Sequence, residues 1–524
     1  METQTTEKTT EKGAHPDIEV GKTGDTVHLE HVDGLTTLEE WKQIREDAIK
    51  AEQGEHRLSV KDAFRLYPKA IFWSFVISLC IVQEGYDTAL IGSLFGQVAF
   101  RKKFGHYSGN EVSGYQLTPA WQSATQQAAT IGNIAGIFIA SEFQQRFGYI
   151  RTIQFSIFFI SAFLFIVFFA PNIQVLFVGE LLCGVPWGAF SSSVVAYASE
   201  VTPVPLRGYL TTYVNLCWVI GQFIASGTLL AVNNWTTKWA YKLPFALQWI
   251  WPIPLFILVS LAPESPWFLV RAGRLEEAER TVKRLLEISI DLVLQVRTNE
   301  LEISNDPGVS VFDCFKGSDL RRTEIACMAW SIQVLAGSSF GNQGTYFFEQ
   351  AGLSSNDAFS VALGQRGLAF TGTLISWFTM TYVGRRKVFL YGVSVLALLL
   401  LLTGILAIPS SKGNQGAKWG QTVLILLWVF TFDNSIASIA YCIVGETSST
   451  RLRIKTVGLA RIWYNCITVG AGFINNYSLN PTAWNWKGLP EMKGRTYREL
   501  DILFERGVPA RKFKEVIITE EEDH

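Results

Sequence analysis

The sequence predicts an all-α membrane protein assembled from two related helical halves. Three observations carry that expectation. Eleven apolar stretches are long enough to cross about 30 Å of hydrocarbon at roughly 20 residues each. Charged residues recur in the same order after corresponding stretches of the two halves. Three carboxylates, Glu84, Asp87 and Glu180, lie inside stretches that otherwise read as lipid-spanning.

In chain order, residues 1–69 are polar, rich in Glu, Lys and Thr, and read as a disordered cytoplasmic tail. No cleavable signal is expected, because the first apolar run begins only at Ala70. The first half, 70–262, holds six candidate spans at 70–95, 119–143, 151–170, 172–197, 209–232 and 242–262. A polar insert follows at 263–323. Pro263-Glu-Ser-Pro266 opens a helix there, and Leu275–Leu286 is amphipathic with paired charges, so a helical insert on the cytoplasmic face is expected. The second half, 324–478, holds five spans at 324–349, 358–381, 387–408, 419–444 and 456–478. Residues 479–524 form a polar tail.

Charge orients the bundle. Arg146, Arg151, Arg207, Arg385, Arg386, Lys387, Arg451, Arg453 and Lys455 fall on the side of the amino-terminal tail. The opposite loops at 171–174 and 350–357 carry no Lys or Arg, as the positive-inside rule expects. Arg101, Lys102 and Lys103 are exceptions. Six of the seven cysteines lie in spans and read as small apolar fillers, not as a disulfide set. No phosphate-binding glycine loop and no metal-ligand cluster is present, so the sequence points away from an enzyme, a cofactor, a metal or a nucleic-acid partner.

The halves echo each other. Glu200 is followed seven residues later by Arg207, and Glu446 by Arg453. Gly148 with Arg151 corresponds to Gly384 with Arg385 and Arg386. Two such halves joined by a polar insert match the pseudo-symmetric architecture of major facilitator transporters, whose site lies at the midplane between halves. Glu200, Arg207, Arg385, Arg386, Glu446 and Arg453 are therefore gating candidates. A charge near the bilayer centre costs roughly 2.5–3.5 kcal/mol, so the buried carboxylates mark an ion path, a substrate site or a partner charge. Asp87, Glu84 and Glu180, with Arg461 within reach, form a proton-coupling set; a static buried ion pair is the competing reading. Asp433 and Arg366 stand alone in their spans and read as structural.

Beyond these patterns the chain resembles the sugar porter family, and within it the fungal α-glucoside–proton symporters of the maltose permease type. The resemblance rests on GYDTALIG at 85–92, GELLCGVPWGAF at 179–190, PESPWFLVRAGR at 263–274 and GNQGTYFFEQAGLS at 341–354. It continues with TYVGRRK at 381–387, RLRIKTVGLARIWYN at 451–465 and NPTAWNWKG at 480–488. It implies a coupling role for Asp87, sugar-hydroxyl contacts for Gln222 and Gln333, and a stacking aromatic at Tyr441. Asn342 and Tyr346 add the amide and aromatic chemistry that a neutral, hydroxyl-rich ligand needs. Glu180 stands where hexose porters have an Arg that pairs with the first-span Asp, and Arg461 is the candidate replacement cation. Gln145 and Thr381 replace the Asp that the family usually has after the second and eighth spans.

The family also has a twelfth span that this sequence lacks: about 25 residues, the length of one span, are missing at the Gly488–Leu489 junction. Eleven spans, and poor transport by the chain as written, are the corresponding expectations. The function expected is import of a maltose-like α-glucoside with a proton at the plasma membrane, by alternating access, with sugar, protons and the lipid bilayer as partners. A facilitative hexose or disaccharide uniporter, a non-transporting sugar sensor and an inactive truncated paralogue stay open as alternatives.

Overall fold

The computed structural model describes residues 59–107, 115–285, 310–338, 355–411, 414–449 and 452–479. Asn342, Tyr346 and the Gly488–Leu489 junction lie outside the described residues. A short helix α1 (Val60–Leu66), within the stretch read as a tail, precedes the first predicted span, which is built by α2 (Pro68–Ser78) and α3 (Cys80–Leu94). After α4 (Val98–Phe104) a small hairpin pairs β1 (His106–Tyr107) with β2 (Tyr115–Gln116). Then come α5 (Pro119–Phe147), α6 (Tyr149–Phe168), α7 (Ile173–Val201) and α8 (Val204–Val232). The sixth predicted span is broken: α9 (Trp239–Leu247) contains Pro244, a 3₁₀ turn covers Gln248–Ile250, and Pro252 opens α10 (Pro252–Leu261).

The insert contributes α11 (Pro266–Arg271) and α12 (Leu275–Leu285). The apolar stripe of α12 buries Ala278, Val282 and Leu285, while Glu276–Arg280 and Glu279–Lys283 pair on its exposed face. In the second half, α13 (Gly317–Gln333) runs into a π turn at Val334–Ser338, followed by α14 (Ser355–Tyr382) and α15 (Arg385–Ser411). The tenth predicted span is α16 (Gln415–Phe432), a π turn at Asp433–Ala437 and α17 (Ser438–Thr447); α18 (Arg453–Leu479) is the last described helix.

Among the described residues, eight helical stretches are long and apolar enough to cross a membrane. Helices α5, α13 and α14, at the positions of the other three predicted spans, fall short of that standard. The described part of α13 is 17 residues long and opens with Asp319, Arg321, Arg322 and Glu324. The hydropathy of α5 and α14 is instead lowered by side chains that point inward: Gln127 and Asn133 on α5, Gln365 and Arg366 on α14 are all buried. The outer surface is the reverse. Phe158, Phe378 and Leu401 are 65%, 66% and 62% exposed, an apolar exterior suited to lipid and not to water.

Close backbone approach locks the first half. On α5, Gly132 and Gly136 face Gly184 and Gly188 of α7. A Cβ at any of the four would overlap the backbone of the opposite helix. Gly85 of α3 and Gly221 of α8 meet in the same way. These two crossings fix the depth at which Glu84, Asp87, Asn133 and Glu180 sit, since each lies within four residues of a crossing glycine.

Candidate functional site

The charged groups in the centre of the bundle do not form one cluster of equals; they divide into a tied pair and a looser carboxyl pair. Arg461 of α18 donates to Glu84 of α3 at 3.0 Å, with side-chain exposures of 8% and 7%. Asn133 of α5 reaches the same Glu84 oxygen at 3.5 Å, and Asn465 of α18 donates to Asn133 Oδ1 at 2.9 Å. The guanidinium of Arg461 also lies over the rings of Tyr464 and Trp330, at 4.8 and 5.7 Å. First-half and second-half helices are thereby joined through buried polar groups.

Asp87 takes a different partner. Gln248, held in the 3₁₀ turn that breaks the sixth span, donates to Asp87 Oδ1 at 2.8 Å. Glu180 of α7 approaches Asp87 from the other side, and neither of its oxygens completes a hydrogen bond of good geometry among the described residues. The four residues singled out for proton coupling are thus brought together, with Arg461 on Glu84 and Glu180 beside Asp87.

Two adjoining cavities flank this centre. One offers about 560 Å³ of space, part of it open to solvent, and is lined by Gln222, Gln333, Tyr441 and Arg461. The other offers about 680 Å³, also partly open, and is lined by Asp87, Glu180 and Gln127. Tyr464 and Ser338 belong to the walls of both. Gln333 donates to the Ala437 carbonyl at 3.3 Å, whereas Gln222 Nε2 is buried with no partner among the described residues. Trp330 meets Tyr441 edge to face at 5.6 Å. The wall of the first cavity combines amide groups, aromatic side chains and the charges of Arg366, Asp433 and Arg461, polar and aromatic chemistry of the kind a hydroxyl-rich ligand needs.

Sequence reasoning missed Asn215 and Trp218, which share with Gln222 the α8 face that lines the first cavity. Their spacing, three and then four residues, was the available signal. It also missed Asn133, Asn465 and Gln248, isolated amides whose partners lie on other spans. Asp433 and Arg366 line the first cavity and face each other, although each stands alone in its own span.

At the end of the bundle where the gating candidates lie, the insert takes part. Glu200 accepts from Tyr149 Oη at 3.1 Å and from Arg271 at 3.0 Å, and also from Ser265 Oγ. Its ion pair is therefore with the insert, in place of the Arg207 that follows it in sequence. Arg453 is buried in the field of Glu200, Arg207 and Arg271. Arg385 pairs with Glu446 at 2.7 Å and also donates to Cys442 Sγ at 3.0 Å, while Arg386 is exposed. Contacts that cross between the halves here include Tyr209 Oη with Thr381 Oγ1 at 2.7 Å, Thr212 Oγ1 with Met380 Sδ at 4.0 Å, and Lys455 with Glu142 at 2.7 Å.

Glu264 of the Pro263–Pro266 motif anchors the insert. Its carboxylate accepts from the backbone N–H groups of Tyr149, Ile150 and Ser265 at 3.0–3.1 Å, capping the start of α6. Burial nevertheless pushes its pKa above the ordinary carboxylate value, outweighing those three donors. Gly148, at φ +89°, leaves the space that the carboxylate fills.

With this geometry in view, the comparisons with known proteins are specific. The sequence profile of the family described as "Sugar (and other) transporter" matches residues 73–503. Maltose permease MAL61 of Saccharomyces cerevisiae is 37% identical over 504 residues, covering 90% of this chain and 81% of the permease. The general alpha-glucoside permease of the same yeast is 35% identical over 548 residues, covering 96% of this chain and 88% of that protein. Among solved structures, the proton:xylose symporter XylE, a major facilitator protein bound to 6-bromo-6-deoxy-D-glucose, superposes with a TM-score of 0.67 at 19% identity. The match covers 83% of this chain and 99% of XylE, and at that identity it speaks to the fold. The chain is a multi-pass membrane protein and not an enzyme, it has the major facilitator fold, and it belongs to the family of sugar (and other) transporters.

Proposed function

We propose that this sugar transporter imports a maltose-like α-glucoside together with a proton, by alternating access, across the plasma membrane. The observation that carries the reading is the shared wall. Arg461 lines the cavity that holds the amide and aromatic groups and is bonded to Glu84, three residues from Asp87. A sugar seated against Gln222, Gln333 and Tyr441 therefore touches the same residue that neutralises the first-span carboxylate. Asp87 and Glu180 serve as the proton-exchanging pair: two carboxyl groups facing a polar cavity hold a proton between them when the cavity opens to the acid side, and release it when Arg461 or the sugar changes that environment. Similarity to the maltose and α-glucoside permeases supports the substrate class, and XylE, a proton:xylose symporter, couples sugar to protons on this same fold.

Charge assigns the basic end to the cytoplasm. There the Tyr209–Thr381 and Lys455–Glu142 contacts join the halves, and Gly208 packs beside Arg385. This arrangement corresponds to a state shut toward the cytoplasm, and opening requires those contacts to part. The test is uptake of labelled maltose, trehalose, sucrose and glucose by transporter-deficient cells carrying the chain as written or with a twelfth span restored at the Gly488–Leu489 junction, with and without an inward proton gradient. Gradient-driven accumulation of an α-glucoside is expected, greater with the restored span; gradient-independent equilibration, or no uptake of any sugar by either form, contradicts the reading.

A further inference from the structure

The wall of the first cavity carries a second, oppositely charged pair that neither the proton route nor the gates use. Asp433 and Arg366 are 7% and 8% exposed, and both line the cavity. Asp433 opens the π turn that separates α16 from α17, and Ser438 Oγ holds that turn by donating to the Asp433 carbonyl at 2.7 Å. A π turn inserts one extra residue into a helix and re-aims a side chain, and such turns concentrate at functional sites. Arg366 is carried on α14, which Gly372 allows to pack against the backbone of Phe430 and Asn434. Across the cavity, Asn215 of α8 approaches the Asp433 carboxyl, yet its Nδ2 completes no hydrogen bond of good geometry among the described residues. Trp218 Nε1 and Gln222 Nε2, further along the same face, are likewise unpartnered among the described residues.

We infer that Asp433 and Arg366 form a specificity-determining subsite for the second pyranose ring of a disaccharide, the carboxylate accepting from one hydroxyl and the guanidinium donating to its neighbour. Three features support this assignment. The unpartnered amides on α8 lie seven residues apart, about 10 Å along the helix axis. That separation exceeds one pyranose ring and fits two, with Gln222 at one ring and Asn215, opposite Asp433, at the other. The pair is electrically balanced, so a neutral ligand meets no net charge there. Trp218 and Trp428 on the same wall offer faces to the apolar side of a ring. The inference rests on the α-glucoside reading above and names the residues that make it a disaccharide site.

The test uses the purified full chain and calorimetric titration with maltose and with glucose. Wild type is expected to bind maltose more tightly than glucose. Asp433→Asn should weaken maltose by roughly tenfold or more, the loss of one hydrogen bond to a charged group, and glucose by less than about threefold. The charge swap Asp433→Arg with Arg366→Asp should leave maltose weak, because the sugar's contacts are reversed although both opposite charges are kept. Restoration of wild-type maltose affinity by the swap, or an equal change for both sugars, or no change for either, overturns the assignment. If Asp433→Asn does not fold, Asp433→Glu, which keeps the charge and shifts the carboxylate, decides by the same split. Failure of wild type to bind any α-glucoside would instead overturn the reading of function.

Discussion

Replacing Arg461 by Gln gives the sharpest energetic test of the central cluster. In the native chain the guanidinium and the Glu84 carboxylate are both buried and 3.0 Å apart. Without it, Glu84 keeps only the Asn133 amide, and that contact is long at 3.5 Å. Removing one partner of a buried ion pair costs about 3–5 kcal/mol, because the survivor stays desolvated and uncompensated. Glu84→Gln should cost less, since Arg461 retains the faces of Tyr464 and Trp330. The double variant has no charge left to strand, so the two losses should not add. A coupling energy of about 2 kcal/mol is expected, within the range seen for residues in direct contact. The assay is reversible unfolding of the full chain in mixed micelles for wild type, both single variants and the double. Losses that add to within about 0.3 kcal/mol would refute the view that the two side chains act as one unit.

Two further outcomes follow from the basic end. Gly148→Ala places a Cβ into the Glu264 carboxylate and the Phe268 ring at a φ of +89°, whereas Gly384→Ala, at φ +87°, meets nothing within 4 Å. Both bear the backbone cost of a side chain at positive φ, about 1–3 kcal/mol, but only the first also displaces the α6 cap, so its melting temperature should fall further; equal falls contradict the capping account. Lys455→Glu sets two carboxylates against each other where Lys455 now meets Glu142. Alkylation of Cys442, buried beside Arg385 at this end, should then quicken several-fold in a chain whose other cysteines are serine, and an unchanged rate argues against a latch between the halves.

Much of the fold was legible because a membrane protein writes its layout in hydropathy and loop charge. The inward-facing polar residues that lower the apolarity of α5 and α14 are the same ones that build the interior. Individual charges inside spans were also legible, so Glu84, Asp87, Glu180 and Arg461 stood out at once. Their pairing did not. Arg461 is as remote in sequence from Asp87 as from Glu84, and only the packing of α18 against α5 and α7, from which its side chain reaches α3, selects Glu84. Glu200 and Arg207 look like partners across a short loop. They belong to separate helices, and Arg271 of the insert takes the carboxylate instead. Asp433 and Arg366 read as lone charges because each has its counterpart on another helix. The broken sixth span and the π turns leave no periodic signature, although they aim Gln248 and Asp433.

Proton movement coupled to sugar is tested most directly in liposomes holding the purified chain, with an external pH indicator and labelled maltose inside and out. Adding maltose to wild type should make the outer medium more alkaline as sugar accumulates. Asp87→Asn should abolish both signals while exchange of labelled for unlabelled maltose continues. Proton uptake that survives intact in Asp87→Asn, or maltose accumulation by wild type with no proton movement, would contradict the account.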